Sequence, residues 1–106
     1  MSALPLSIII DVDADKIVEW SRKKAELIHD LSLEGIKNFL DNDDKDVIVL
    51  VKFFEECEST YSFADITMHR EDIEESLQIA EDFYVENELY EKAAITRNLR
   101  QQMNIN

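Results

Sequence analysis

The stretch VIVLVKFFEECEST, residues 47–60, decides the fold. Its β-branched opening, Val47 to Val51, favours a strand. Its length, and the spacing of Val47, Leu50, Val51, Phe54, Cys57 and Tyr61, fit one face of a helix. Composition weighs on the choice. One Gly and one Pro in 106 residues leave turns that need positive φ almost unavailable, so hairpin-rich β folds are disfavoured. The stretch therefore reads as a helix buried over most of its surface, since Ile48, Val49 and Phe53 leave little polar face. The expected fold class is all-α: a compact bundle of four to five helices in a single domain, residues 1–106.

Working outward, the preceding connector DNDDKD is polar, and the segment before it is helical in pattern. In DADKIVEWSRKKAELIHDL, Asp13 or Asp15 can cap the N-terminus, and Ile17, Trp20, Leu27, Ile28 and Leu31 share a face. Ser32 can cap a second helix carrying Leu33, Ile36 and Leu40. Residues 1–12 form an apolar strap expected to dock on the core, with an added edge strand or contact with another chain as the other readings. Downstream of YSFADITM, a helix is expected from Thr67 or Met68, with Ile73, Leu77, Ala80 and Tyr84 inward. A break near Asn87 and Glu88 turns the chain into a last helix.

Charge excludes several function classes. Twenty-four acids against eleven bases give a net charge of −13, which repels nucleic-acid phosphates and anionic membranes and suits a basic partner surface. The single cysteine, Cys57, forms no internal disulfide and fits a reducing compartment. MSALPLSIII has no basic segment ahead of its apolar run, and VIVLV falls far short of the ~20 apolar residues of a membrane span. The expectation is a cytoplasmic protein with no membrane contact.

Cofactor chemistry finds little support. DVDADK and DNDDKD each lack the Gly and the closing Glu of a calcium loop. Glu26 and His29 make one Glu-x-x-His pair where a di-iron bundle needs two. One Gly allows no glycine-rich phosphate loop. No cofactor or catalytic residue is expected. The remaining acid pattern, Asp72 and Glu75 followed by Glu88 and Glu91, resembles the paired carboxylates of MazG-type all-α nucleoside triphosphate pyrophosphohydrolases. That resemblance implies, as an alternative, a Mg²⁺ site built from Glu71, Asp72, Glu75, Glu88 and Glu91.

The closing stretch KAAITRNLRQQMNIN, residues 92–106, carries Lys and Arg and no acid in a chain of net charge −13, and it is read together with VENELYE just before it. Residues 84–103 resemble the UVR motif, a short helical hairpin used for protein–protein contact. Val85-Glu86-Asn87 stands at the turn, Tyr90-Glu91-Lys92-Ala93-Ala94 forms the core and Arg97 the basic end; Asn98 departs from the family's Asp. The resemblance implies roles for Asn87, Tyr90, Glu91, Ala93, Ala94 and Arg97. Lys92, Arg97 and Arg100 are expected to compensate the acidic helix before them.

The function expected from these features is a small acidic protein–protein interaction module, a regulator or inhibitor that binds a basic surface of another protein. Its contacts would be Glu71, Glu74, Glu75, Asp82 and Glu86. A structural or assembly subunit, and hence a homo-oligomer, is the other non-enzymatic reading.

Overall fold

The computed structural model describes residues 5–11, 13–42, 44–55 and 61–105. In chain order these form β1 (Leu6–Ile9), α1 (Ala14–Lys23), α2 (Ala25–Asp41), β2 (Val47–Phe54) and β3 (Ala64–His69). A 3₁₀ turn (Arg70–Asp72), α3 (Ile73–Glu86) and α4 (Tyr90–Ile105) follow. The fold is mixed α/β, which corrects the all-α helical bundle expected from sequence. Residues 47–54 are the central strand of a three-stranded sheet ordered β1-β2-β3. β1 runs parallel to β2, and β3 runs antiparallel to it.

A bulge explains why β2 reads as a helix. Val49 stands opposite Thr67 and Val51 opposite Ile66, so Leu50 is an extra residue with no partner of its own on β3. Ile48, Leu50, Val51 and Phe53 are all buried, the bulge placing the adjacent Leu50 and Val51 inward together. Strict alternation is lost, and the apolar spacing comes to mimic a helical stripe. β3 has no bulge, and its exposure alternates along its length. The scarcity of glycine did not forbid this sheet because it uses no tight hairpin. β1 joins β2 through two helices, and β2 joins β3 through residues 55–63. Cys57 lies in the part of that connection outside the described residues.

Helices cover one face of the sheet. The α2 backbone comes closest at Gly35, where an added Cβ would lie 3.0 Å from the Met68 side chain and 3.1 Å from that of Leu50. The Trp20 ring of α1 meets Phe53 edge-on at 5.4 Å. Ile36, Phe39, Val51, Phe53, Leu77 and Tyr84 are wholly inaccessible and form the centre of the core. The opposite sheet face carries Ile9, 71% exposed, and Val47, 45% exposed. From Leu6 to Ile9 the apolar N-terminus is an edge strand, the second of the sequence readings, and not the docking strap that the sequence favours.

Helix boundaries also move. Asp13 does cap α1, its carboxylate accepting from the Asp15 N–H at 2.9 Å. The break expected at Ser32 falls at Lys24, and the Ser32 hydroxyl donates to the Ile28 carbonyl inside an unbroken α2. Thr67 and Met68 belong to β3, so α3 begins at Ile73. The last turn of α2 has no basic residue. Arg70, just beyond β3, supplies the cation: its guanidinium donates to the carbonyls of Phe39 (3.1 Å), Asn42 (2.6 Å) and Lys45 (2.7 Å). It also lies 4.9 Å over the Phe39 ring.

Candidate functional site

The four inward positions expected on α3 are buried: Ile73, Leu77, Ala80 and Tyr84. At 100° per residue, the opposite strip holds Glu75, Gln78, Ile79, Asp82 and Glu86, with Glu74 at its margin. Glu71 projects from the 3₁₀ turn ahead of the helix. All five proposed contact acids, Glu71, Glu74, Glu75, Asp82 and Glu86, are exposed. Ile79 stands among them 51% exposed, and Val85 at the edge is 42% exposed. The face is thus a row of carboxylates around a bare isoleucine.

The chain's own cations turn away from that row. Glu81 is the one α3 carboxylate that is buried, and both α4 arginines converge on it. Arg97 reaches its Oε2 at 3.2 Å, and Arg100 reaches Oε1 at 2.8 Å. The Arg97 Nε–H donates to the same Oε2. Oε1 faces Arg100 as an ion pair without hydrogen-bond alignment, so it accepts no bond among the described residues. Arg100 also donates to the Gln78 amide oxygen. Lys92 crosses instead to α2, where its ammonium lies between Glu26 and Asp30, 3.0 Å from the latter. Among the described residues, no cation lies within ion-pair distance of Glu71, Glu74, Glu75, Asp82 or Glu86. The compensation expected from the closing basic segment thus goes to Glu81 and to α2.

α3 and α4 form an antiparallel hairpin, as the pairings of residue 81 with 97 and 78 with 100 require. Its turn is a Schellman motif: the Glu88 N–H bonds to the Val85 carbonyl and the Leu89 N–H to the Tyr84 carbonyl at 2.7 Å. Glu88 takes the left-handed position, φ 58°, that glycine normally fills. Asn87 ends α3 and donates from its side chain to the Phe83 carbonyl. Of the other residues picked out by the UVR resemblance, Ala93 is buried at the helix contact, while Tyr90, Glu91, Ala94 and Arg97 are exposed.

The alternative Mg²⁺ set does not come together. Glu71, Asp72 and Glu75 lie at the start of α3, whereas Glu88 and Glu91 lie beyond its far end. Between Glu75 and Glu88 the helix runs on for eleven residues, to Glu86, a rise of about 17 Å at 1.5 Å per residue. Among the described residues no three His, Cys, Asp or Glu side chains are placed to hold a metal ion.

One polar cluster was not legible from sequence. The Tyr84 hydroxyl donates to Asp30 Oδ1 at 2.7 Å while Lys92 holds Oδ2, tying α2, α3 and α4 together. Hydrogen bonds to Glu26 and then Asp30 raise the Lys92 pKa. Burial, then the bond to Asp30, pushes Tyr84 well above its usual range. Both shifts hold these groups in fixed protonation states at neutral pH, which suits a structural tie and not proton transfer. His29 stacks on Phe83 with centroids 4.6 Å apart, and burial lowers its pKa. The Glu-x-x-His pair therefore diverges, Glu26 to Lys92 and His29 to an aromatic ring.

No protein family, curated protein or solved structure matches the chain. Among the described residues no helix is long and apolar enough to cross a membrane.

Proposed function

We propose that this chain is a protein-binding module whose α3 face docks on a basic surface of another protein. The reading rests on one observation: among the described residues no cation pairs with the carboxylates of that face, the α4 arginines being committed to Glu81 and Lys92 to α2. An unpaired row of acids on a rigid helix supplies long-range attraction and orientation toward positive charge. Ile79, exposed at the centre of the row, supplies an apolar contact that can be desolvated. The fold serves this face by holding α3 against α4 and α2, with the Tyr84–Asp30 bond tying it to α2.

The test uses the immobilised chain and a lysate of the cells it comes from. The unaltered chain should retain a partner at low salt and release it near the ionic strength where exposed charges are screened, about 0.5–1 M. A Glu75→Lys/Asp82→Lys/Glu86→Lys variant, folded by circular dichroism, should retain none. Equal capture by both chains, or capture indifferent to salt, would refute the reading.

A further inference from the structure

We propose that the open face of the sheet, over β1 and β2, is a docking surface for an amphipathic helix of another protein, one with an apolar stripe and basic flanks. The surface is separate from the acidic α3 face. By register its rows are Val47 beside His69, Val49 beside Thr67, Ser7 beside Lys52 and Asp65, and Ile9 beside Phe54. Ile9 and Val47 are exposed there, and Val49 and Phe54 are partly so. The apolar pattern says what kind of layer belongs on it. Parallel strands are covered by helices on both faces and read as nearly continuous apolar runs, whereas a strand with one wet face alternates. β1 reads LSII, broken only by Ser7, and β2 reads VIVLVKFF, broken only by Lys52. The bulge accounts for the adjacent Leu50 and Val51, but not for the outward Val47, Val49 and Phe54. β3, the antiparallel strand, turns Asp65, Thr67 and His69 outward instead. The outward apolar residues thus sit on the parallel pair, whose other face carries the helices.

Length and charge narrow the occupant. The 8 residues of β2, at about 3.3 Å each, span ~26 Å, which a helix of about 18 residues matches. This chain has no such helix left to give: the longest run outside the described residues, 56–60, is far too short. Asp11 and Glu55 follow the carboxyl ends of β1 and β2, Asp46 precedes β2, and Asp65 lies on β3, all of them exposed. Among the described residues none of these acids is within ion-pair distance of a cation. The cations at this face are Lys45 and Lys52, so its rim is acidic and suits a helix whose stripe is flanked by bases.

The probe is a synthetic helical peptide of about 18 residues, leucine at every third or fourth position and lysine elsewhere. It is titrated into the isotope-labelled full chain at about 0.15 M salt and followed by NMR amide shifts. The amides around Ile9, Val47, Val49 and Phe54 should move and saturate. The same shifts, with a midpoint within about threefold, should appear in the Glu75→Lys/Asp82→Lys/Glu86→Lys chain, which takes away the α3 face as the peptide's seat. A peptide of the same residues reordered to lose the stripe, and one with glutamate for lysine, should each bind at least about tenfold more weakly. So should the first peptide to Ile9→Thr/Val47→Thr, a change at two exposed positions that keeps the strand preference. Shifts confined to α3, equal binding of either control peptide, or a double variant that binds like the unaltered chain would each overturn the proposal. Sedimentation showing a dimer of the unaltered chain that the double variant dissolves would overturn it too, since a second copy would then be the cover. Should the double variant fail to fold, the shift map and the control peptides on the unaltered chain decide.

Discussion

Replacing Arg70 by alanine tests whether one residue, far away in sequence, finishes α2. The guanidinium donates to three carbonyls, those of Phe39, Asn42 and Lys45, and covers the Phe39 ring. Hydrogen bonds from a charged donor contribute about 1.5–3 kcal/mol each when sheltered. Arg70 is only half-buried, so the freed carbonyls are partly rehydrated, and about 1 kcal/mol each is the better figure. With no other basic group in the last turn of α2, the helix-end charge interaction adds ~0.3–1 kcal/mol. The sum is a loss of about 3–4 kcal/mol, a melting point lower by roughly 10–20 °C for a domain of this size. Urea unfolding followed by far-ultraviolet circular dichroism measures it. Arg70→Lys keeps the charge but cannot fork onto three acceptors, so it should recover only about 1 kcal/mol. If Arg70→Ala unfolds within ~0.5 kcal/mol of the unaltered chain, or lysine restores all of the loss, the capping argument fails.

Three further outcomes are expected. Glu81→Gln should lower stability by about 2 kcal/mol in urea titrations, since it leaves Arg97 and Arg100 facing a neutral group; Glu75→Gln, on the open face, should stay within ~0.5 kcal/mol. Glu88→Gly should raise stability by about 0.5–1 kcal/mol in the same assay, because glycine takes the left-handed φ of 58° without strain. His29, its pKa lowered by burial against the opposing pull of Asp30, binds its proton less readily folded than unfolded. Stability should therefore be complete above the ordinary value of 6.5 and fall as pH drops below it toward the folded-state value. The slope is at most ~1.4 kcal/mol per pH unit, and His29→Phe should flatten it in melts between about pH 7 and 5.5.

The α3–α4 half of the chain was legible because its signals are local. Ile73, Leu77, Ala80 and Tyr84 repeat at helical spacing, and the turn falls at Asn87 and Glu88 as expected. The sheet was not legible, for two reasons. Leu50 hides the strand period of β2, and the shortage of glycine excludes only tight hairpins, which this topology does not use. Arg70 and the Tyr84–Asp30–Lys92 cluster depend on residues 25 to 62 apart in sequence, and no spacing rule links them. The acidic α3 face was visible as composition. That Glu81 belongs to the interior while its neighbours do not could be seen only once both arginines were in place.

The bulge has a consequence for how this chain can change in length. Thr67 and Ile66 are consecutive on β3, so removing Leu50 would leave Val49 and Val51 as ordinary neighbours, each still facing its present partner. Every other side chain of β2 would keep its side of the sheet, with only the plug against Gly35 missing. Stripped of that one letter, the sequence spells plain alternation, and the central strand reads as a regular one carrying a single insertion.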